Sequence, residues 1–248
     1  MNIDIKSLER ATLDAVAPPE VVEMEDWLLP MDRSTIGRAI SAVPLQHSAL
    51  NAAAIAAIES TYQTRGLKTQ FRIPDVAACA NIHNELRRCG YAPVQPTLTQ
   101  VAALTPAWAG APSTEVVISE KPTDAWKAVY VSEGFDPVDG LNRVNALSRS
   151  HCVQYACVTH GGRAVAAGTA STSHGWVGIH GMRTLPESRG QGLASLIIKA
   201  FAQQALQSGQ TGLYLQVEEQ NANAIRLYES LGFRTAWRYH YWKKVTLP

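Results

Sequence analysis

The sequence has no long apolar run and no block of charges of one sign. No segment approaches the roughly 20 apolar residues that a membrane-spanning helix needs, and the N-terminal residues MNIDIKSLER lack the apolar stretch of a signal peptide. The 22 basic and 21 acidic residues leave a formal charge of +1, so no strong field of one sign is available to attract nucleic acid. We therefore predict a cytoplasmic protein with neither a membrane nor a nucleic-acid partner.

Sequence motifs of several enzyme classes are also missing. The cysteines follow no metal-ligand spacing, which predicts a protein without a bound metal in a reducing compartment. They are Cys79, Cys89, Cys152 and Cys157. The sequence contains neither the Gly-x-Ser-x-Gly motif of α/β-hydrolases nor the His-Glu-x-x-His motif of zinc peptidases. The sequence therefore contains no motif that indicates a hydrolase.

The second half of the sequence alternates strand and helix patterns. Residues 151–160 and 163–172 are β-prone and are separated by Gly161-Gly162, which favours an antiparallel hairpin. The apolar spacing from Leu193 onward predicts a helix that ends at Gly209. The other predicted elements are strands over 176–185, 212–219 and 235–242 and a helix over 221–230 that ends at Gly232. This alternation predicts a mixed α/β fold.

The first half repeats this order in weaker form. A helix that ends at Gly66, a strand over 68–73 and a helix that ends at Gly90 resemble the later pattern. Gly66 and Gly90 are 24 positions apart, and Gly209 and Gly232 are 23 positions apart. Such recurrence predicts two copies of one fold.

The length of the chain agrees with two domains. Its 248 residues are 46% apolar and 17% charged, a composition typical of globular domains of roughly 100 to 150 residues each. We place the domains at residues 1–110 and 111–248, with the Pro-, Ala- and Gly-rich stretch 105–114 as the linker. Residues 32–43 predict a further strand in the first domain.

Two glycines stand where the third strand of the second half meets its helix, in PESRGQGLASLI (186–197). The N–H groups that open a helix lack intrahelical partners and lie at the positive end of its dipole, so they favour phosphate. A Walker A loop is excluded because no lysine is placed for it, and a dinucleotide fingerprint is weak because it needs a third Gly or Ala where Ser195 stands and an acidic residue about 20 positions later. A glycine-rich turn that merely caps a core helix stays open as an alternative.

The segment Arg189-x-x-Gly192-x-Ala194 resembles the acyl-coenzyme A signature of the GNAT acetyltransferase superfamily. The similarity continues in NANAIRLYESLGF, which resembles a later helix of that family with Asn221, Tyr228 and the closing Leu-Gly-Phe in family spacing. The first half resembles the degenerate N-terminal domain of tandem GNAT proteins. The resemblance implies an α/β fold of the mixed α+β type, with two tandem GNAT-like domains that are each a mostly antiparallel twisted sheet flanked by helices.

The resemblance also implies roles for individual residues. Main-chain groups of the strand before the loop would pair with the pantetheine arm and the acetyl carbonyl, the loop amides would hold the diphosphate, and Asn221 would lie near the thioester. The implied cofactor-binding residues are Met182, Arg183, Thr184, Arg189, Gly190, Gln191, Gly192, Leu193, Ala194, Ser195 and Asn221. The cosubstrate is acetyl-coenzyme A, and no metal is implied.

Tyr228 matches the usual general acid of the family, and the chemistry supports this role. A phenol with a pKa near 10 can protonate a departing thiolate whose pKa is roughly 8.5, although spacing alone equally predicts a core tyrosine. The general base is open, because Gln216 stands where one branch of the family has a glutamate. The candidates are Glu218, Glu219, His174 and His180.

The N-terminal copy lacks the residues that would bind coenzyme A. Leu86 and Cys79 occupy the positions that match Tyr228 and Asn221, and QHSALN, before its long helix, contains no glycine. We expect this copy to wall part of the acceptor pocket, because ligand sites favour domain interfaces. Trp27, Arg33 and Arg38 are candidates for that wall, although they equally suit core and surface positions.

The sequence thus predicts an N-acetyltransferase that moves an acetyl group from acetyl-coenzyme A to a primary amine of a small molecule, amino acid or peptide. The predicted mechanism is direct attack in a ternary complex. A non-catalytic acyl-coenzyme A sensor is the alternative, and a nicotinamide oxidoreductase is a third interpretation. The sequence carries no signal for the oligomeric state.

Overall fold

The computed structural model describes residues 3–110 and 115–245. Within them, the α-helices are α1 (Ile5–Val16), α2 (Gly37–Ile40), α3 (Ala54–Gln63), α4 (Ala80–Arg88), α5 (Asp124–Tyr130), α6 (Pro137–Arg149), α7 (Leu193–Gln207) and α8 (Ala222–Ser230). The strands are β1 (Glu20–Met24), β2 (Trp27–Met31), β3 (Val43–Pro44), β4 (Gln70–Pro74), β5 (Tyr91–Ala103), β6 (Val116–Ser119), β7 (Val153–His160), β8 (Arg163–Ser173), β9 (Trp176–Thr184), β10 (Gly212–Glu218) and β11 (Arg234–Lys244).

Eight of these strands form one sheet in the order β4-β11-β5-β10-β9-β8-β7-β6, and β1, β2 and β3 form a small second sheet. Neighbouring strands of the eight-stranded sheet are antiparallel except for β9 and β10, which run parallel. The mixed, mostly antiparallel sheet flanked by helices confirms the predicted fold class, including the hairpin of β7 and β8.

The two halves of the chain exchange strands within this sheet. β5 from the first half lies between β10 and β11, and β11 from the second half lies between β4 and β5. The sheet is therefore continuous across both halves. The division between residues 110 and 111 stays a prediction. In the predicted linker, Pro106–Trp108 forms a turn of 3-10 helix, and residues 111–114 lie outside the described residues.

The predicted recurrence of elements is present. The order α3-β4-α4-β5 returns as α7-β10-α8-β11. The loops after the four helices contain Gly66, Gly90, Gly209 and Gly232, each with φ between 63° and 89°. Only glycine adopts this left-handed conformation without strain, which is why the helix ends were readable from the sequence.

The predicted strand over residues 32–43 is wrong. The segment folds instead as a turn, the short helix α2 and the start of β3. The Asp32 carboxylate accepts hydrogen bonds from the backbone N–H groups of Arg33 and Ser34, which bends the chain at the start of the segment. Ile36 and Ala39 then pack against Val16 of α1 and Ala146 of α6.

Each face of the central part of the sheet has its own apolar cluster. Ile179 and Leu215 face α7 and pack in the same cluster as its Ile197 and Phe201. Tyr214, on the opposite face, packs with Leu8 and Ala11 of α1. Because side chains alternate along a strand, Gln216 lies on the α1 face beside Tyr214. None of the described helices is long and apolar enough to cross a membrane.

Candidate active site

The site is built at a fork between the two parallel strands. β9 and β10 are paired only at Val177–Leu213, Gly178–Tyr214 and Ile179–Leu215. Beyond these pairs, His180 to Thr184 keep β8 as a neighbour, but β10 continues alongside β5. The two strands therefore diverge, and the β10-facing edge of β9 is left without a backbone partner from β10.

The glycine-rich loop opens α7 directly after this fork. Gly190 and Gly192 both have φ of 77°, and a Cβ built on either would meet no atom within 4 Å. The glycines are therefore needed for backbone conformation and not for packing within the protein. The space over both glycines is open.

The amides of the loop have no partners in the part of the chain that the structure describes. No described residue accepts a hydrogen bond from the backbone N–H groups of residues 190–195, whereas Leu196 N–H donates to the Gly192 carbonyl at 3.1 Å. No side chain caps α7, and its first turn carries no acidic residue. This row of free donors at a helix N-terminus fits an anionic group such as a diphosphate.

The other predicted cofactor-binding residues lie around the fork. Met182, Arg183 and Thr184 form the end of β9, and the exposed Arg189 donates from Nε to the Thr184 carbonyl at 3.3 Å. The Arg183 side chain is engaged by α5 and α6, because it donates to the Tyr130 carbonyl at 2.9 Å and to Asp139 Oδ2 at 2.7 Å. Arg183 thereby ties α5 and α6 to the strand.

Asn221 is the N-cap of α8. Its side-chain Oδ1 accepts a hydrogen bond from the Ala224 N–H group at 3.2 Å. This cap explains the residue type at the start of a helix without any ligand. Its Nδ2 group donates to no described residue and is the free part of the side chain.

Tyr228 lies on α8 in the apolar cluster on the α7 side of the sheet. Its ring is 6.0 Å from the ring of Phe233, and 8% of the residue is exposed. Its hydroxyl makes no hydrogen bond with any described residue. Burial raises the pKa of Tyr228 to about 12. The phenol therefore stays protonated at neutral pH, but it is a weaker acid than a free tyrosine by about two pKa units, or ~2.7 kcal/mol.

On the opposite face, Arg38 joins the two strands at the point where they diverge. Its Nη1 atom donates to Gln216 Oε1 at 2.7 Å and lies 3.0 Å from His180 Nδ1. Gln216 Nε2 in turn donates to Thr12 Oγ1 at 3.2 Å. The N-terminal half of the chain thus contributes a cation and the helix α1 to the fork.

These contacts fix the state of His180. Because arginine can only donate, His180 Nδ1 accepts and the proton lies on Nε2, which donates to the Tyr214 hydroxyl at 3.3 Å. Burial and the nearby charge of Arg38 hold the pKa of His180 well below its usual range. His180 is therefore neutral, and its one basic nitrogen is already engaged.

The remaining base candidates are occupied elsewhere. Glu218 accepts from Gln95 Nε2 at 2.8 Å, and Glu219 pairs with Arg238 at 2.7 Å. His174 lies in the turn before β9, at the end away from the fork, and is 3.3 Å from Asp14. Each of these side chains thus has a partner outside the fork, and the base stays unassigned.

Comparison with known proteins identifies the family. Residues 3–242 match the sequence model of the family described as "Probable histone acetyltransferase Rv0428c C-terminal". The chain belongs to this family of GNAT acetyltransferases. The predicted resemblance to the superfamily is confirmed.

Individual relatives agree with this assignment. YobR of Bacillus subtilis, described as an uncharacterized N-acetyltransferase, is 26% identical over 124 residues. That match spans 49% of this chain and 50% of YobR, so the chain covers about half the length of the curated relative it matches.

Two solved structures share the fold over the whole chain. A GCN5-related N-acetyltransferase from Kribbella flavida has a TM-score of 0.71 at 16% identity, and a tandem GNAT protein from the clavulanic acid biosynthesis pathway has a TM-score of 0.63 at 14% identity. Each comparison covers 100% of this chain and 97% of the other. Their likeness shows a shared fold and says nothing about a substrate.

The N-terminal half of this GNAT protein differs from the C-terminal half at the corresponding loop. At the start of α3, Ala54 N–H donates to the Asn51 carbonyl and Ile55 N–H to the Ala52 carbonyl, both at 3.2 Å. Asn51 Oδ1 also accepts from the Ala53 N–H group at 3.0 Å. These three donors have partners within the protein, and the absence of coenzyme A binding by this copy stays a prediction.

The three residues of the N-terminal half that were candidates for the pocket wall lie in different places. Trp27 is buried in the core of that half, and the exposed Arg33 reaches the Arg65 carbonyl at 3.4 Å. Arg38 alone of the three reaches the fork. No sequence signal marks it, because its partners lie 142 and 178 positions away.

Other sites of the described residues do not compete with the fork. No group of three or more His, Cys, Asp and Glu side chains among them is arranged to hold a metal ion. A cavity of about 600 Å³ is lined by Cys152, Phe201 and Ser208 among others. It lies toward the C-terminal end of α7, roughly 20 Å along the helix from the glycine loop.

Proposed function

We propose that the protein transfers an acetyl group from acetyl-coenzyme A to a primary amine by direct attack in a ternary complex. The observation that carries this proposal is the position of the free amides of residues 190–195 beside the strand fork. Donors for a diphosphate and an unpaired strand edge for an extended arm follow one another along the chain. The membership of the family supports acetyl transfer, and the donor and acceptor are the proposed refinement.

The residues of the chain would divide the work between binding and proton transfer. The loop amides and the dipole of α7 would bind the diphosphate, and the edge of β9 from Met182 to Thr184 would hold the arm in extended form. Bound acetyl-coenzyme A would supply the acetyl group as a reactive thioester. These contacts would place the reacting carbon between the diverging strands, with the reactants held for attack.

Tyr228 would hold the proton that the departing sulfur needs. A C–N bond forms as the C–S bond breaks, the Tyr228 hydroxyl proton passes to sulfur, and the proton lost by the amine returns to the phenolate through solvent. Because burial raises the pKa of Tyr228 to about 12, the transfer is uphill relative to a thiol of pKa about 8.5. The return of the amine proton must therefore accompany the transfer closely.

The test is release of free thiol from acetyl-coenzyme A across a panel of primary amines. We expect Tyr228→Phe to lower kcat by about 100-fold, the usual effect of removing a general acid, with little change in coenzyme A affinity. Tyr155→Phe is the matched control, because Tyr155 is a buried tyrosine of the same apolar cluster whose hydroxyl donates to the Leu147 carbonyl.

Two results would count against the proposal. If coenzyme A binds but no amine gives turnover, the protein is an acyl-coenzyme A sensor and not an enzyme. If Tyr228→Phe and Tyr155→Phe reduce kcat to the same small extent, Tyr228 has no role in proton transfer and is a core residue.

A further inference from the structure

Arg38 is an unpaired cation at the fork. The described arginines that are not fully exposed are Arg10, Arg38, Arg72, Arg143, Arg183 and Arg238, and each of them except Arg38 forms an ion pair with a carboxylate. Arg38 makes hydrogen bonds only to His180 and Gln216, which are both neutral. A partly buried charge without a counterion is costly, so an unpaired guanidinium at this position points to an anion that binds from outside the protein.

Both contacts of Arg38 use the same nitrogen. Nη1 meets His180 and Gln216, whereas Nε and Nη2 donate to no described residue. Nε and Nη2 form one edge of the planar guanidinium, and this edge matches the two oxygens of a carboxylate. The protein therefore holds the guanidinium by one corner and leaves its bidentate edge available.

The position of Arg38 relative to the glycine loop indicates which of the two reactants carries the anion. The amides of residues 190–195 open α7, which packs on the Ile179 and Leu215 face of the sheet. Arg38, His180 and Gln216 lie on the opposite face with α1 and α2. In a ternary complex, the acceptor reaches the reacting carbon from the side that the donor does not occupy. An anion at Arg38 therefore belongs to the acceptor and not to the diphosphate.

We propose that Arg38 recognises a carboxylate on the acceptor, so that the substrate class is a small amine that also carries a carboxylate, such as an amino acid. This inference rests on the proposed function. Arg38 is a specificity-determining residue in this proposal, supplied by the N-terminal half to a reaction centred on the C-terminal half. The near-neutral net charge of the chain does not contribute, because the recognition is local.

The test compares acceptors that differ only in the carboxylate, namely amino acids and their carboxamides. For the wild type, we expect kcat/KM to be at least tenfold higher for the acids, as is typical for a charge-assisted bidentate pair. Arg38→Gln should raise KM for the acids about 10- to 100-fold, leave the carboxamides within about twofold, and leave coenzyme A affinity unchanged. Arg38→Lys should restore part of the preference, because it keeps the charge and loses the fork geometry.

The control variant is Arg33→Gln, which removes an exposed arginine side chain of the same segment that donates to the Arg65 carbonyl at 3.4 Å. It should leave both classes of acceptor unaffected. A second readout needs no turnover: calorimetric binding of N-acetyl amino acids and their amides to the complex with coenzyme A. The acids should bind more tightly to the wild type, and Arg38→Gln should abolish the difference.

The outcomes separate this inference from the proposed function. Equal use and equal binding of acids and carboxamides by the wild type would overturn it, as would a stronger preference for a lysine-rich peptide. A loss of activity in Arg38→Gln that is the same for both classes would show that Arg38 only ties the strands together. If no amine is acetylated but the acids bind selectively through Arg38, the carboxylate site stands and the transferase proposal fails.

Discussion

The sharpest test of the diphosphate site is a single methyl group at Gly192. Gly192 has φ of 77° and no atom within 4 Å of the position of a Cβ. In the ligand-free protein, Gly192→Ala therefore introduces backbone strain without a clash. An L-residue in this conformation costs about 1–2 kcal/mol, which corresponds to a fall in melting temperature of about 2–4 °C per kcal/mol for a protein of this size.

The same helix provides a matched control at its other end. Gly209 follows α7 with φ of 73°, and a Cβ built there also meets nothing within 4 Å. Gly209→Ala should therefore cost the same stability as Gly192→Ala, as measured by thermal unfolding. The two variants differ only in whether the methyl group lies over the free amides of the loop.

The affinity for coenzyme A then separates the loss of the contact with the diphosphate from the loss of stability. In Gly192→Ala, the methyl group should displace the diphosphate from one or two amides, and a hydrogen bond to a charged group contributes about 1.5–3 kcal/mol. We expect coenzyme A affinity to fall about 10- to 100-fold by isothermal titration calorimetry, with Gly209→Ala unchanged. Acetyl-pantetheine, which lacks the diphosphate, should bind both variants equally. If both variants bind coenzyme A equally well, or if acetyl-pantetheine suffers the same loss, the loop does not hold the diphosphate.

Two further predictions concern the N-terminal half and its junction with the sheet. Glu9 and Arg72 form an ion pair in which both side chains are 1% exposed, so Glu9→Gln should lower the free energy of unfolding by about 3–5 kcal/mol because it leaves a buried charge unpaired. Glu23→Gln breaks an exposed pair and should lower the free energy of unfolding by less than about 1 kcal/mol in the same urea titration. Equal losses in the two variants would contradict this account. The pKa of His180 is depressed in the folded state, so the unfolded chain binds this proton at a higher pH than the folded chain does, and the free energy of unfolding falls as the pH drops below about 6.5. His180→Gln should remove that part of the slope in pH-dependent urea unfolding, and an unchanged slope would show that the pKa of His180 is not depressed in the folded protein.

The sequence predicted the elements from residue 151 onward well because their signals are local, whereas β6, α5 and α6 were not predicted. The apolar spacing of α7, the glycines after the helices and the Gly161-Gly162 turn each act within a few residues. The strand predicted over residues 32–43 was wrong because the apolar residues of this segment suit a strand as well as a short helix. The bend that starts the segment depends on the Asp32 carboxylate. The loop at 190–192 was predicted by its residue types, since only glycine takes φ of 77° at no cost.

By itself, the sequence determined the fold class, the family resemblance and the glycine-rich turn at the start of α7. Only the tertiary structure decided that β5 and β11 exchange between the halves, that β9 and β10 part after Ile179 and Leu215, and that Arg38 reaches this fork. The physical reason is that the pairing of β5 with β10 and β11 and the contacts of Arg38 join segments more than 100 positions apart. A polar side chain that meets such distant partners leaves no periodic pattern in the sequence, so its position is fixed by the packing of α1 and α2 on the sheet.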